Sequence, residues 1–421
     1  MSDNEYLTVA QALKMILDSV SVLPAEETPI LNALGRVLAQ PVAAADSLPP
    51  FANSSMDGYA LRADDVMTAC LQTPVNLRVV GDVAAGTMPD FVLEVGAAAR
   101  IMTGAPLPAG ADAVVPVEDT NEPWRDEERP LPSHILIKRA VQPGDYVRGV
   151  GEDIRAGQIV LEKNHILRPQ EIGVLASLGI SRVSVVRRPR VAVLATGDEL
   201  LPVHEPLQPG KIRNSNGYAQ ASQVNALGAE PIFLGIARDT ADDVRAKLQA
   251  GIEAQADLFV SSAGVSVGAY DVVKSVLEQE GQFGFWRVRM RPGKPLAYGK
   301  YAGIPYIGLP GNPVSALVSF ERFARAAILK MAGHTRLERP QITVRMLESI
   351  HSDGRESYVR AVVQRNEAGD YVAATTGSQG SHIMTSLVQA NALLIVPESV
   401  KFVAQDELIT AWMIDWPETV F

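Results

Sequence analysis

This sequence predicts a multidomain α/β-plus-β protein, centred on a doubly wound α/β unit with β-rich pieces before and after it. Three observations carry that expectation. Residues 190–321 alternate apolar strand-like runs with helical periodicity, and each strand run gives way to a Gly-containing turn (RVAVLATGDEL, FVSSAGVSVGAYD, IPYIGLPGNP). Residues 71–140 and the segment after Gly333 are instead short β-rich runs punctuated by Gly and Pro. A length of 421 residues also exceeds what one core ordinarily needs, so several domains are expected.

The chain opens with helical periodicity. VAQALKMILDSV spaces its apolar residues by three and four, and TPILNALGRVLAQ repeats the pattern. AAADSLPPFANSSMDGYALRADD breaks it with two prolines and a polar cluster, which marks a loop leading into the strand YALR. Asp57, between Met56 and Gly58, has on spacing alone the look of turn chemistry, because Asp before Gly is a hairpin signal. The runs VNLRVVGDVAAG, AAARIMTGAPLP, ADAVVPVED and SHILIKRAV predict a small β domain. Within it, Thr103 stands at a strand end beside Arg100 and Gly104, where its hydroxyl could bind an oxyanion or satisfy a turn. Glu152 and Asp153 then sit together in a Gly-punctuated turn that solvent could equally occupy. PQEIGVLASLGI returns to helix, so helical material flanks the β segment on both sides and identifies it as an insertion. The expected boundaries are 1–50 with 147–186 for the N-terminal region, 51–146 for the insertion, 187–334 for the α/β domain and 335–421 for the C-terminal β domain.

In an open α/β sheet, ligands collect beyond the carboxyl ends of the strands, so Glu199, Asp271 and the LPGNP turn are expected to line one crevice. Asn312 has the residue type of a helix N-cap and Pro313 that of a first helical residue. A helix after Asn214 should stop at Gly228, and Thr240 with Asp243 has the spacing of a capping box. Asp239, at that strand-to-helix junction, is expected to join Glu199 and Asp271 on one rim. Three such carboxylates repel one another unless a cation offsets them, and Mg²⁺ suits because it takes carboxylate oxygens together with substrate phosphates. Neither GxxxxGK[ST] nor a strand-following GxGxxG is present, which leaves helix N-termini as anion sites without a signature.

A net charge of −10 argues against a nucleic-acid surface, so an anionic substrate has to be held by a local basic pocket. WRVRMRPGKP is the source expected to supply it. Arg287, Arg289 and Arg291 alternate at strand spacing, and the stiff turn after them would fix Lys294; a solvated strand face is the competing expectation. No apolar run is long enough to cross a bilayer, and the N-terminus carries acids where a secretory signal carries bases, so a cytoplasmic protein with no membrane partner is expected. The single cysteine, Cys70, excludes an internal disulfide and a cysteine-built metal site, and is expected to be a small apolar filler.

Taken in order, SMDGYA, RIMTGAPLP, GED, TGDEL, GVSVG, RPGKP and GLPGNPVSA resemble the motifs of the molybdopterin molybdenumtransferase (MoeA) family, which includes the E domain of gephyrin, and the resemblance spans nearly the whole chain. It implies a MogA-like molybdopterin-binding central domain, a C-terminal β-barrel-like domain, and a homodimer of elongated four-domain subunits joined through the N-terminal region. The activity it implies is Mg²⁺-dependent insertion of molybdate into adenylylated molybdopterin with release of AMP. Essential positions carried over by the motifs are Asp57, Thr103, Asp153, Glu199, Asp239, Asp271, Pro310 and Pro313, with the first three approaching the crevice from the partner subunit. That implication replaces the turn-only role of Asp57. Glu199 and Asp271 become the metal ligands, and Arg291, Lys294, Arg360 and Ser381 the candidates for holding molybdate. Contacts with molybdopterin adenylyltransferase and other cofactor-biosynthesis proteins are also implied. The departures are Ala263, where the family usually has a second glycine, and Ala269, where it usually has an acid. Two competing functions are an adenylyltransferase, against which the added N- and C-terminal domains weigh, and a receptor scaffold, for which no binding motif is readable.

Overall fold

The computed structural model describes residues 6–122, 130–262 and 272–416. The chain forms two compact units, one from Met1–Ala39, Asn164–Arg168 and Arg182–Phe421, the other from Gln40–Lys163 and Pro169–Ser181.

A seven-stranded sheet is the spine of the first unit. Its strands are β1 (Tyr6–Leu7), β2 (Arg190–Thr196), β3 (Glu230–Ala237), β4 (Leu258–Ser262), β5 (Gly281–Val288), β6 (Pro295–Tyr301) and β7 (Ile304–Leu309), lying in the order β1-β5-β6-β7-β4-β2-β3. Only β6 runs against its neighbours. β2 is apolar from Val191 to Ala195 and β4 from Leu258 to Val260, and both stay buried to their carboxyl ends, as strands covered on both faces must be. Helices supply both covers. On one face Val193, Val260 and Ile307 pack against α1 (Val9–Ser19), α2 (Ser215–Ala226) and the helical run α5 (Pro313–Ser319), π-turn Phe320–Ala324 and α6 (Arg325–Met331). On the other, Ala192, Leu194 and Phe259 meet α3 (Ala241–Glu253) and α4 (Val272–Glu280).

Local signals explain the helix starts. Thr8 and Gln11 form a reciprocal capping box at α1. Asn214 Oδ1 accepts from the Gly217 N–H (2.9 Å) at α2. The box expected at α3 is half formed: Thr240 accepts from the Asp243 N–H (3.4 Å), but the Asp243 carboxylate turns to the Arg238 N–H (2.6 Å). Asn312 occupies the cap position of α5 with Pro313 behind it, yet makes no side-chain cap bond.

One expected helix is absent. Residues 25–29 form a strand antiparallel to Arg182–Val186, followed by a single 3₁₀ turn at Ile30–Asn32. Pro29 and Gly35, the latter at φ +74°, interrupt the helical pattern: Ala33, Val37 and Leu38 are buried while Leu31 stays 83% exposed, so the apolar residues do not line one helical face.

The C-terminal strands β8 (Gln341–Met346), β9 (Glu356–Arg365), β10 (Tyr371–Thr375), β11 (Ala392–Val396) and β12 (Leu408–Met413) close into a five-stranded barrel, because β11 pairs back onto β9. Closure removes free edges and encloses Val344, Val363, Ala373, Leu394 and Ala411. Met290–Arg291 leaves the central sheet to pair with Glu356–Ser357 of β9. The arginine run is therefore split: Arg287 ends on β5 while Arg291 joins the barrel, and the three arginines do not share one strand face.

In the second unit a five-stranded sheet runs Ala113–Pro116, Gly58–Leu61, Ala97–Ile101, Val75–Val83, His134–Ile137 in space, over a core that includes Tyr59, Leu61, Ala98 and Val115. Gly58 is required by close approach, since a Cβ there would lie 2.0 Å from the Val115 carbonyl oxygen. Among the described residues, no helix is long and apolar enough to cross a membrane. Cys70 is exposed, not a core filler, and its thiol contacts the Thr73 hydroxyl (2.9 Å).

Candidate active site

The strands β2, β4 and β7 end side by side, and beyond their carboxyl ends lies a crevice of about 910 Å³. Its floor carries the buried hydroxyls of Thr196 and Ser262, the last residues of β2 and β4. One wall is Glu199 with the start of α2, the opposite one is the turn Pro310, Gly311, Asn312 and Pro313, and Asn216 Nδ2 ties them by donating to the Gly311 carbonyl (2.7 Å). Two helix starts thus open on the same space, which favours anions. Arg291 to Lys294 form a third side, and the barrel contributes Arg355, Gln379, Ser381 and His382.

Cations outnumber acids here. Arg213, Arg291, Lys294 and Arg355 face the crevice against Glu199, although the chain as a whole is acidic. Arg355 is anchored by Asp353 (2.5 Å), which Arg291 approaches at 3.8 Å, and the hydrogen bonds from Arg355 hold the Asp353 carboxyl below its usual range. The Lys294 ammonium stands 5.1 Å from the ring centre of Tyr6, a cation–π contact brought by β1. Val288 N–H donates to the Lys294 carbonyl (2.8 Å), closing the turn that the sequence predicts to be stiff.

Glu199 is brought to the rim by Gly197, whose φ is +143° and where a Cβ would meet the Glu199 carboxylate at 2.3 Å. No hydrogen bond or ion pair engages that carboxylate among the described residues. Asp239 does not join it on the crevice lining; its Oδ2 accepts from the Asp198 N–H (3.2 Å) instead. Asp271, Ala263 and Ala269 lie outside the described residues. Among the described residues no group of three or more acidic, histidine or cysteine side chains is placed to hold a metal.

Behind Arg291 a second chamber of about 170 Å³ is lined by Arg291, Ser357, Arg360, Thr375 and Gln379. Arg360 is 1% exposed and has no carboxylate partner among the described residues. It donates to Ser386 Oγ (3.0 Å) and to the Gly380 and Ser378 carbonyls (3.1 and 3.3 Å). Burial, with Arg291 nearby, pushes its pKa down, the mark of a guanidinium short of negative charge.

In the second unit, Asp57 Oδ1 accepts from both the N–H (2.6 Å) and the hydroxyl (2.8 Å) of Thr103. Pairing of Gly58 with Ile101 sets that meeting, so Asp57 reaches across a sheet and does not close a hairpin. Asp153 lines an open hollow of about 640 Å³ with Asn53, Gly104 and Arg148. The structure thus gathers Glu199, Arg291, Lys294, Pro310, Pro313 and Ser381 in one crevice and Arg360 in the chamber beside it. Asp57 and Thr103 form a separate pair. Sequence reasoning missed Asn214, Asn216, Arg355 and Gln379. The cap at Asn214 could have revealed the first two, whereas Arg355 and Gln379 arrive from the barrel and carry no local signal.

Residues 7–179 match the family described as "MoeA N-terminal region (domain I and II)", residues 192–330 the "Probable molybdopterin binding domain", and residues 343–413 the "MoeA C-terminal region (domain IV)". The chain is 40% identical over 378 residues to a Nostoc protein named molybdopterin molybdenumtransferase, covering 88% of this chain and 85% of that one. It is 39% identical over 391 residues to molybdopterin molybdenumtransferase 2 of Mycobacterium tuberculosis, covering 91% and 94%. The crystal structure of a molybdopterin biosynthesis MoeA protein from Pyrococcus horikosii superposes with a TM-score of 0.80 at 32% identity, covering 98% of this chain and 100% of that one.

Proposed function

Since this chain belongs to the molybdopterin molybdenumtransferase family and is a transferase of molybdenum cofactor biosynthesis, we propose that it inserts molybdate into adenylylated molybdopterin, releases AMP and requires Mg²⁺. The observation that supports this most is the crevice itself: four cations, two helix starts and a carboxylate converge beside a buried arginine, and among the described residues that carboxylate is uncommitted and that arginine lacks an acid.

Each group has a role its chemistry suits. The starts of α2 and α5 take the phosphate oxygens of the substrate. Arg291, Lys294, Ser381 and Arg360 hold the tetrahedral molybdate dianion, whose charge offsets the cost of keeping Arg360 buried. Pro310 and Pro313 shape the turn and leave its amides at set positions. Glu199 fits one Mg²⁺ that arrives with the phosphates, because the ion commonly takes one or two protein carboxylates and fills its shell from phosphate and water. When bound, that ion would supply neutralisation of the charge on the phosphoanhydride. Asp271 is proposed as its second carboxylate.

We also propose a homodimer in which Asp57, Thr103 and Asp153 of one subunit complete the crevice of the other. Asp57 suits such a role because Thr103 takes only Oδ1, and Oδ2 has no partner among the described residues. Handover contacts with molybdopterin adenylyltransferase and other cofactor-biosynthesis proteins, in the cytoplasm, are part of the same proposal. The test supplies purified protein with adenylylated molybdopterin, molybdate and Mg²⁺ and follows AMP. Release that depends on all three is expected; formation of adenylylated molybdopterin and pyrophosphate from ATP and molybdopterin would point to an adenylyltransferase instead.

A further inference from the structure

We infer that Asp198 and Asp239 form a reciprocal clamp whose task is to position Glu199, and that neither carboxylate acts directly on substrate or metal. This rests on the proposed role of Glu199. Asp198 N–H donates to Asp239 Oδ2 and Asp239 N–H donates to Asp198 Oδ1, both at 3.2 Å, so each acid caps the backbone of the other. The two residues stand just past the ends of the neighbouring parallel strands β2 and β3.

Further bonds hold the same loop. Gly197 N–H donates to the Ala237 carbonyl (3.2 Å), Leu200 N–H to the Gly197 carbonyl (3.1 Å) and Ile212 N–H to the Glu199 carbonyl (2.8 Å). Lys211 Nζ donates to the Asp198 carbonyl (2.5 Å). The backbone on either side of Glu199 is therefore tied while its carboxylate, unengaged among the described residues, faces the crevice. Asp239, in contrast, is absent from the crevice lining. Accepting a backbone N–H needs an oxygen but not a charge, whereas holding a divalent cation needs the charge.

That difference separates the clamp from a metal ligand. In the clamp, Asp239→Asn and Asp198→Asn still present an acceptor oxygen and should stay within about threefold of parental AMP release. Asp239→Ala and Asp198→Ala lose it, and turnover should fall by about tenfold to a hundredfold, as for other groups that orient a functional ligand. Amide hydrogen exchange across residues 197–200 provides a readout independent of turnover. It should quicken about tenfold in Asp239→Ala and remain near parental in Asp239→Asn, without loss of the global melting transition. Asparagine variants as impaired as the alanine ones would overturn the clamp in favour of a charged role. Glu199→Gln keeps the two levels distinct. Collapse of Glu199→Gln together with parental turnover in both alanine variants overturns the clamp alone, whereas parental turnover in Glu199→Gln overturns the role of Glu199 and the clamp with it.

Discussion

Arg360 buries a guanidinium against the Ser386 hydroxyl and two backbone carbonyls with no acid beside it among the described residues, an arrangement that costs stability until an anion arrives. Arg360→Met keeps the length of the side chain and removes that cost. Its melting temperature should match or exceed the parent's, while molybdate affinity measured by calorimetry falls at least about tenfold. Lys294→Ala should weaken molybdate binding more than binding of the adenylylated substrate; equal losses would make the turn merely structural. Asp353 gives a pH signature. Its carboxyl is held below the usual range by Arg355, so its contribution to stability is present above the unfolded carboxylate range, about pH 4, and disappears as pH falls through the folded value. The melting-temperature gap between parent and Asp353→Asn should accordingly be open near neutrality and close in acid; a gap that widens in acid has the wrong sign. The side chain is partly exposed, so the gap should be small.

The segment from β5 to β6 shows how an element aims a side chain. Gly293 has φ +105°, and a Cβ there would lie 2.2 Å from Ser319 Oγ on α5, so the turn carrying Lys294 is seated directly on that helix. Gly293→Ala combines an unfavourable backbone conformation with that collision and should destabilise by about 1–3 kcal/mol in denaturant unfolding. Adding Ser319→Ala should recover part of the loss, because it removes the atom struck while leaving the backbone term. No recovery would mean the conformation alone sets the cost. The glycine and prolines of RPGKP made a constrained turn legible in the sequence, but the helix it rests on was not. The same limit explains residues 28–40, where apolar spacing predicts a helix but the chain instead ends a strand, residues 25–29, that depends on pairing with Arg182–Val186, more than 140 residues along the chain.

For the whole molecule, the proposed dimer makes a complementation experiment decisive. Asp57→Asn and Glu199→Gln chains, each inactive alone, would combine into heterodimers with one intact composite crevice. Random equal mixing should restore about a quarter of parental AMP release, since half the dimers are mixed and each has one of two sites. Mixed dimers that form and remain inactive would remove the shared site.

The sequence by itself determined the α/β alternation, the β character of the flanking domains, the helix that follows Asn214, the cap at Thr240, and the ordered motifs that identify the family. All of these are local: periodicity, cap chemistry and turn residues act over a few positions, and strand-end logic turns them into a crevice at Glu199 and the Pro310 turn. Only the tertiary structure decided which distant groups meet there. Arg355 and Gln379 come from the barrel, Tyr6 comes from the first strand, Arg291 leaves its arginine neighbours to join β9, and Asp239 turns to Asp198 and away from Glu199. Those outcomes depend on register and closure between segments tens to hundreds of residues apart, which no local pattern encodes.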